Sequence, residues 1–385
     1  MKKPLLVFLA VLMIAAPAFA AAPAMERLPL TSAILMEAST GTVLYEQNAD
    51  VRLPPASVTK IMTLLLVMEA VENGRIGLED KISCSAAAAA MGGSQIYFEV
   101  GEVFTVNELI KSVSIASAND AAVQLAEAVA GSEASFVSMM NDRARSLGMV
   151  DTTFKNCTGL DVEGHETTAR DIAVMSRELM QHELITHYST IWMDSIRNGA
   201  FGLTNTNRLM RTYKGANGLK TGFTSKAMYC LSATAERDGM GMIAVVLGAS
   251  NSNVRFESAA RLLDYGFANY ALSEVLPEYE FYSVPVKKGL VDEVRAVVGE
   301  EIKPVLLERG AGKSIERSVE LAESVEAPVA AGQELGDFII TVDGKEYARY
   351  PLTADDDVGK LGLGNMIKRL IKIGFCGASV FYELN

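Results

Sequence analysis

Three short strings in this chain carry side chains able to do acyl chemistry: Ser57-Val58-Thr59-Lys60, Ser117-Ala118-Asn119 and Lys220-Thr221-Gly222. A serine hydroxyl attacks a carbonyl carbon only when a base removes its proton, and in these strings the available bases are lysines. Pro54-Pro55 ends an extended stretch, after which Val58, Ile61, Leu64, Leu65, Met68 and Val71 recur at helical spacing, predicting a helix from about Ala56. Ser57 and Lys60 then share one face of its first turn, where backbone N–H groups are unpaired and the helix field is positive. That field favours an alkoxide forming on Ser57 and disfavours an ammonium on Lys60, and burial against apolar neighbours lowers the lysine further. A neutral Lys60 could then serve as the base for Ser57. Taken alone the string is weak, because Ser-x-x-Lys recurs by chance and a first-turn serine is commonly a cap.

The other two strings have the same character. Ser117 and Asn119 precede a helix read from Asp120, so both can point into one cleft. There Ser117 could pass a proton towards a leaving group, and Asn119 could hold Lys60 or a substrate amide; the alternative is a helix cap. Lys220-Thr221-Gly222 lies in a strand-like run, and alternation sends Lys220 and Gly222 to one face and Thr221 to the other unless the strand is kinked. Gly222 leaves room for the backbone of a ligand, which could lie alongside as an added strand. The N–H of Phe223, with that of Ser57, could form an oxyanion hole, and Lys220, Thr221 and Thr224 could meet a carboxylate. The alternative is an exposed strand end. The conjunction of the three, in this order and in these local contexts, is what chance does not supply.

Composition narrows the partners. The net charge of −12 excludes a general phosphate-binding surface, so no nucleic acid is expected. Lys2 and Lys3, the apolar run Leu5 to Ala16 and Ala18-Phe19-Ala20 read as an export leader cleaved after Ala20. No cysteine follows that run to carry a lipid. Cys84, Cys157, Cys230 and Cys376 show no metal spacing and define no disulfide pairing; His165, His182 and His187 form no ligand pair. Neither a metal nor a cofactor is expected.

Around the motifs, Ala33-Ile34-Leu35-Met36 and Thr42-Val43-Leu44-Tyr45 read as a hairpin across Ser39-Thr40-Gly41. The stretch from about 104 to 190 reads as helical. Strands follow at Leu219 to Thr224, Tyr229 to Ala235 and Met242 to Gly248, then a helix from Leu262 to Tyr270. Strands enclosing helices most simply make one mixed sheet with helices packed on it. From 281 to 350 short β-type runs alternate with turns, including Ile302 to Leu307 and a hairpin at Asp343-Gly344, as in a small all-β domain. The tail from Val358 places Leu363, Met366, Ile367, Leu370, Ile371 and Gly374 on one helical side and Asn365, Lys368, Arg369 and Lys372 on the other. Such a basic amphipathic helix suits a membrane interface, the alternative being a helix packed on the β domain.

The chain resembles the D-alanyl-D-alanine carboxypeptidases, the low-molecular-mass penicillin-binding proteins typified by penicillin-binding protein 5. Besides the three strings, Gly92-Gly93-Ser94-Gln95, Ile115 to Ala122, Gly164-His165 with Thr168-Ala169-Arg170-Asp171, and Asn205-Thr206-Asn207 with Leu209 are similar to family text. The resemblance spans nearly the whole chain. It implies an α/β (α+β) fold, a transpeptidase-like domain with an antiparallel sheet flanked by helices, then the β domain and tail. The expected divisions are a leader at 1–20, a catalytic domain at 21–275, a β domain at 276–356 and an anchoring tail at 357–385. It implies removal of the terminal D-Ala from peptidoglycan stem pentapeptides through an acyl-serine on Ser57, with Lys60 as base. Ser117 relays protons, and Asn119, Lys220, Thr221, Gly222, Phe223, Thr224 and, ahead of the last helix, Arg255 bind substrate. Partners would be peptidoglycan stem peptides, β-lactams as acylating mimics, and a membrane surface on the outer, periplasmic side of the cytoplasmic membrane. Phe223 stands where the family often has histidine, and Ala227-Met228-Tyr229 replaces Ala-Gly-Tyr. A class A β-lactamase needs a Glu-x-x-x-Asn pattern between the second and third strings, and none of Glu127, Glu133, Glu163, Glu166, Glu178 and Glu183 has Asn four residues on. A D,D-endopeptidase acting on crosslinks would use the same atoms and stays open.

Overall fold

The structure, a computed structural model, describes residues 25–310, 314–362 and 364. The chain divides into two compact units, Ala24–Leu272 and the part from Ser273 onward.

In the first unit β1 (Ser32–Glu37) and β2 (Val43–Gln47) form the predicted hairpin. Three longer strands come much later: β3 (Ala216–Thr224), β4 (Met228–Arg237) and β5 (Met240–Ala249). Together they make a five-stranded sheet in the order β2-β1-β5-β4-β3. Every neighbouring pair is antiparallel, not mixed as the spacing alone suggested. The reason is local: β3, β4 and β5 are joined by turns too short for the crossover that a parallel pair needs.

Helices cover both faces, and alternation along the strands says which is where. Ser232 of β4 pairs with Val245 of β5, and Ala233 pairs with Ala244, so adjacent rows face opposite ways. Helix α4 (Ala169–Met180) meets the Val245 face, where Ser176 Oγ and Ser232 Oγ are 2.8 Å apart. Helix α5 (Ser252–Asn269) lies on the other, where Gly266 abuts Met242 and Leu35. Helix α1 (Lys60–Glu72) is buried around most of its circumference, Met62, Leu66 and Val67 as well as the stripe seen in the sequence. A helix apolar all round belongs in an interior. It is the central helix of the unit, and the Ser57 turn stands at its head.

Helices α2 (Val106–Ala116) and α3 (Asn119–Ala130) meet at the second motif. Thr105 and Glu108 form a reciprocal capping box that starts α2, and Gly131 ends α3 in the left-handed conformation. Thr168 caps α4 through the Asp171 N–H. Helix α5 begins well before Leu262, capped by Asn251, so Arg255 lies inside it rather than ahead of it. Its first two turns carry only Val254, Phe256, Ala259 and Ala260 among polar residues, a weaker stripe than the one from Leu262.

The second unit holds a six-stranded sheet of β6 (Tyr282–Lys287), β7 (Glu293–Val298), β8 (Ile315–Leu321), β9 (Val325–Glu326), β10 (Glu334–Val342) and β11 (Lys345–Ala354). The order is β8-β10-β11-β7-β6-β9, antiparallel except for the short β6–β9 pair. Asp343 and Gly344 both have positive φ, 51° and 72°, at the predicted hairpin turn. Val284, Val294, Ala296, Phe338, Ile340 and Leu352 share its apolar core. The run expected at Ile302 to Leu307 is a strand only over Val305–Glu308. At the start of the expected tail, Val358 and Lys360 bridge to Val329 and Gly289. The leader, the rest of the tail and Cys376 lie outside the described residues.

Candidate active site

Ser57 sits in a 3-10 turn, Ala56–Thr59, and α1 itself starts at Lys60. The tighter turn still brings the pair together, with Lys60 Nζ 3.0 Å from Ser57 Oγ. Ala56 has φ 49°, a conformation that a non-glycine residue holds only when its surroundings impose it. Two glycines press on this turn. A Cβ on Gly159 would lie 1.8 Å from the Ala56 carbonyl oxygen, and one on Gly222 would lie 3.1 Å from the Ser57 nitrogen. The side chain absent at Gly222 thus makes room for the nucleophile's own turn, besides any ligand, and sets the end of β3 beside the Ser57 amide.

Lys60 is fully buried while Ser57 is half-buried and reachable. Besides Ser57, its amine bonds to Asn119 Oδ1 at 2.5 Å and to the Thr158 carbonyl at 2.8 Å. Burial, only partly opposed by the nearby Asp120 carboxylate, lowers its pKa from 10.5 to about 7. A neutral amine has two N–H donors and one lone pair. With the donors given to Asn119 and Thr158, the lone pair faces the Ser57 hydroxyl, as a general base requires.

The second pair is Ser117 and Lys220. Ser117 ends α2 in the left-handed conformation, φ 64°, and its Oγ accepts from Lys220 Nζ at 2.8 Å. Lys220, 1% exposed, also donates to the Thr221 carbonyl at 3.0 Å. Its pKa is pushed well below the usual range, first by burial and then by the positive charges of Lys60 and Arg255. Lys220 pairs with Ser232 and Gly222 with Cys230, so the two share the Val245 face of the sheet, towards α1. The hydroxyl at 57 and the amines at 60 and 220 therefore converge.

The remaining residues singled out in the sequence are nearby but differently engaged. Thr221 Oγ1 donates to Thr206 Oγ1 at 2.6 Å. Thr224 Oγ1 donates to Asp161 Oδ1 at 2.9 Å and accepts from the Ala227 N–H, so the carboxylate it meets belongs to the chain. Phe223 is 53% exposed, its ring 4.4 Å from that of Tyr229 across the ladder. Arg255 is buried and reaches the carbonyls of Gly222 and Cys230 at 3.3 and 3.4 Å, both loose, while its Nε has no partner. Burial, with the nearby charge of Arg208, lowers its pKa to about 10. A guanidinium so poorly satisfied favours an anion next to it.

The sequence assigned no role to two supports of the site. The Thr158 carbonyl is a backbone group, which no side-chain pattern announces. His165 was visible as family text but without a role. Its Nδ1 accepts from the Lys155 N–H at 3.2 Å, which leaves Nε2–H to donate to Thr59 Oγ1 at 2.9 Å. Burial lowers its pKa to about 4, so it stays neutral and holds the loop of Thr158 against the Ser57 turn.

A reachable serine flanked by two buried, weakly basic lysines on an antiparallel sheet is the arrangement of a serine hydrolase. The comparisons with known proteins are specific. The D-alanyl-D-alanine carboxypeptidase family matches over residues 19–251, and the penicillin-binding protein 5 C-terminal domain over 275–360. The chain is 42% identical over 346 residues to D-alanyl-D-alanine carboxypeptidase DacF of Bacillus subtilis, covering 88% of each. It is similar to the crystal structure of penicillin binding protein 5 from Haemophilus influenzae, at 28% identity and TM-score 0.77, over 88% of this chain and 99% of that one. It is also similar to penicillin-binding protein D2 from Listeria monocytogenes in its ampicillin-bound form, at 35% identity and TM-score 0.58, over 62% and 98%. The chain belongs to the D-alanyl-D-alanine carboxypeptidase family and is a serine peptidase.

Proposed function

We propose that this chain removes the terminal D-Ala from peptidoglycan stem pentapeptides through an acyl ester on Ser57. Neutral Lys60 takes the Ser57 proton as Oγ attacks the penultimate D-Ala carbonyl carbon. The N–H groups of Ser57 and Phe223 receive the negative oxygen. When the C–N bond breaks, Ser117, bonded to Lys220, delivers its proton to the departing D-Ala amine and is re-protonated with the one Lys60 took from Ser57, which leaves Lys60 neutral again. Water then hydrolyses the ester. Asn119 holds Lys60 and the substrate amide, while Lys220, Thr221 and Arg255 provide for the terminal carboxylate. A penicillin, mimicking the acyl-D-Ala-D-Ala end, acylates the same oxygen.

The observation that carries this reading is Lys60 Nζ, buried and with a pKa of about 7, 3.0 Å from Ser57 Oγ. The purified protein, incubated with a stem pentapeptide and separately with crosslinked peptide dimers, should release free D-Ala from the first and leave the second intact. Activity surviving in Ser57→Ala would refute the nucleophile, and cleavage of the dimers would make the enzyme an endopeptidase as well. Placement follows from the ends of the sequence: we propose export by residues 1–20 and peripheral anchoring on the outer membrane face by the basic amphipathic segment. Removing 363–385 should free the protein from sedimenting membranes without lowering its activity; unchanged sedimentation would end the anchor idea.

A further inference from the structure

The segment Gly92–Phe98 runs past the active site without helix or strand. Its near end is bonded to Asn119, whose side-chain amide donates to the Gly92 carbonyl at 2.6 Å and whose backbone N–H donates to the Ser94 carbonyl at 2.7 Å. The other end of that amide, Oδ1, is the acceptor on Lys60. An asparagine amide can turn over with little change of shape, exchanging acceptor for donor. The Gly92 carbonyl prevents this, because the NH2 side must face an acceptor. The hold on Lys60 therefore depends on where Gly92 sits.

Two charged side chains place the segment. Asp120, 1% exposed, accepts from the Ile96 N–H at 2.9 Å. On the other side Arg197 donates Nη1 to the Ile96 carbonyl at 2.8 Å and Nη2 to the Tyr97 carbonyl at 3.0 Å. The same guanidinium is fixed by Glu102, from Nε at 2.6 Å and Nη2 at 2.9 Å. It also lies between the rings of Phe104 and Phe201, 5.1 and 5.3 Å from their centroids. Arg197 sits at the tip of the hairpin Met193–Ile196 and Phe201–Thr204 with φ 53°, and Tyr97 has φ 57°. Both are conformations that persist only where the surroundings hold them.

We propose that Arg197 is a positioning residue for the Lys60 base. Its fork on the Ile96 and Tyr97 carbonyls fixes the 92–98 segment, the segment fixes the Gly92 carbonyl, and that carbonyl keeps Asn119 Oδ1 on Lys60. The inference rests on the reading of Lys60 as the base. A lysine cannot replace the fork, because one ammonium does not present coplanar donors to two carbonyls and a carboxylate.

The test is the rate of acylation by a fluorescent penicillin, followed across pH for the full protein and for Arg197→Ala, Arg197→Lys and Glu102→Gln, with thermal midpoints measured alongside. Arg197→Ala should lose on the order of a hundredfold in rate and shift the pH midpoint away from that of the parent. Arg197→Lys should fail to restore either. Glu102→Gln, which leaves the arginine on both carbonyls, should lose less than about tenfold in the same direction. An Arg197→Ala protein that melts lower but acylates with the parent's rate and midpoint would overturn the proposal. If that variant does not fold, Glu102→Gln with rate and midpoint both unchanged would overturn it equally. A Lys60→Met variant that kept its rate would instead refute the base itself.

Discussion

The two units of this chain treat buried polarity in opposite ways. The catalytic unit buries Lys60, Lys220, Arg255, Asp120, Asp171, His165 and Glu37 within its packing. Among the described residues of the β unit, every fully buried side chain is apolar or aromatic, and its charged groups stay at the surface. Arg349, for example, meets Glu320, Asp337 and Glu346 while 40% of its side chain is exposed. Burying a charge costs far more than the packing around it returns unless partners satisfy it. A structure that does so repeatedly in one unit and not in the other has put stability aside where chemistry needs shifted proton affinities.

That contrast can be pressed from its largest consequence downward. Lys60→Met should lower penicillin acylation by a factor of about 10² to 10⁴, the usual contribution of a general base, in a protein that remains folded by circular dichroism. A smaller loss would mean the buried amine is structural. Next comes pH. With Lys60 near 7, acylation should fall about tenfold per unit below that value, because the lone pair is lost to a proton. The same shift bears on stability. Between about 7 and 10.5 the unfolded lysine holds a proton that the folded one has released, so native stability should rise with pH across that window in chemical melts. A flat acylation profile from pH 5 to 8 would remove the amine from the mechanism.

The β unit should answer the opposite way. Ile340→Ala, in its apolar core, should cost about 2–5 kcal/mol of that unit's stability and leave acylation unchanged. A parallel loss of acylation would tie its packing to the chemistry. The smallest effect is expected at Arg349→Ala, whose exposed ion pairs are screened by water, so its unfolding midpoint should match the parent's. A clear drop would mean this surface network matters more than the buried lysines suggest.

Much of this was legible in the residue order, and the limits have physical causes. The hairpin at Ser39-Thr40-Gly41, the turn at Asp343-Gly344 and the caps at Thr168 and Gly131 depend on a few neighbouring residues, so local chemistry reveals them. The start of α5 was hidden because its cap is polar and its first turns mix Val254 and Phe256 with serine, asparagine, arginine and glutamate, which placed Arg255 outside a helix it belongs to. The antiparallel order of the sheet follows from turn lengths between β3, β4 and β5, whereas apolar runs alone do not carry direction.

What the sequence determined by itself was the set of candidate reacting side chains and the apolar patterns that bring their elements together, since side-chain type and periodicity are properties of neighbours in the chain. Only the tertiary structure decided that Lys60 is dry enough to stand near neutrality, that the Thr158 carbonyl and Asn119 Oδ1 accept its N–H bonds, and that Gly222 fits against the Ser57 turn. Dielectric, backbone acceptors and close approach are set by residues distant in the chain, and a one-dimensional pattern has no means to express them.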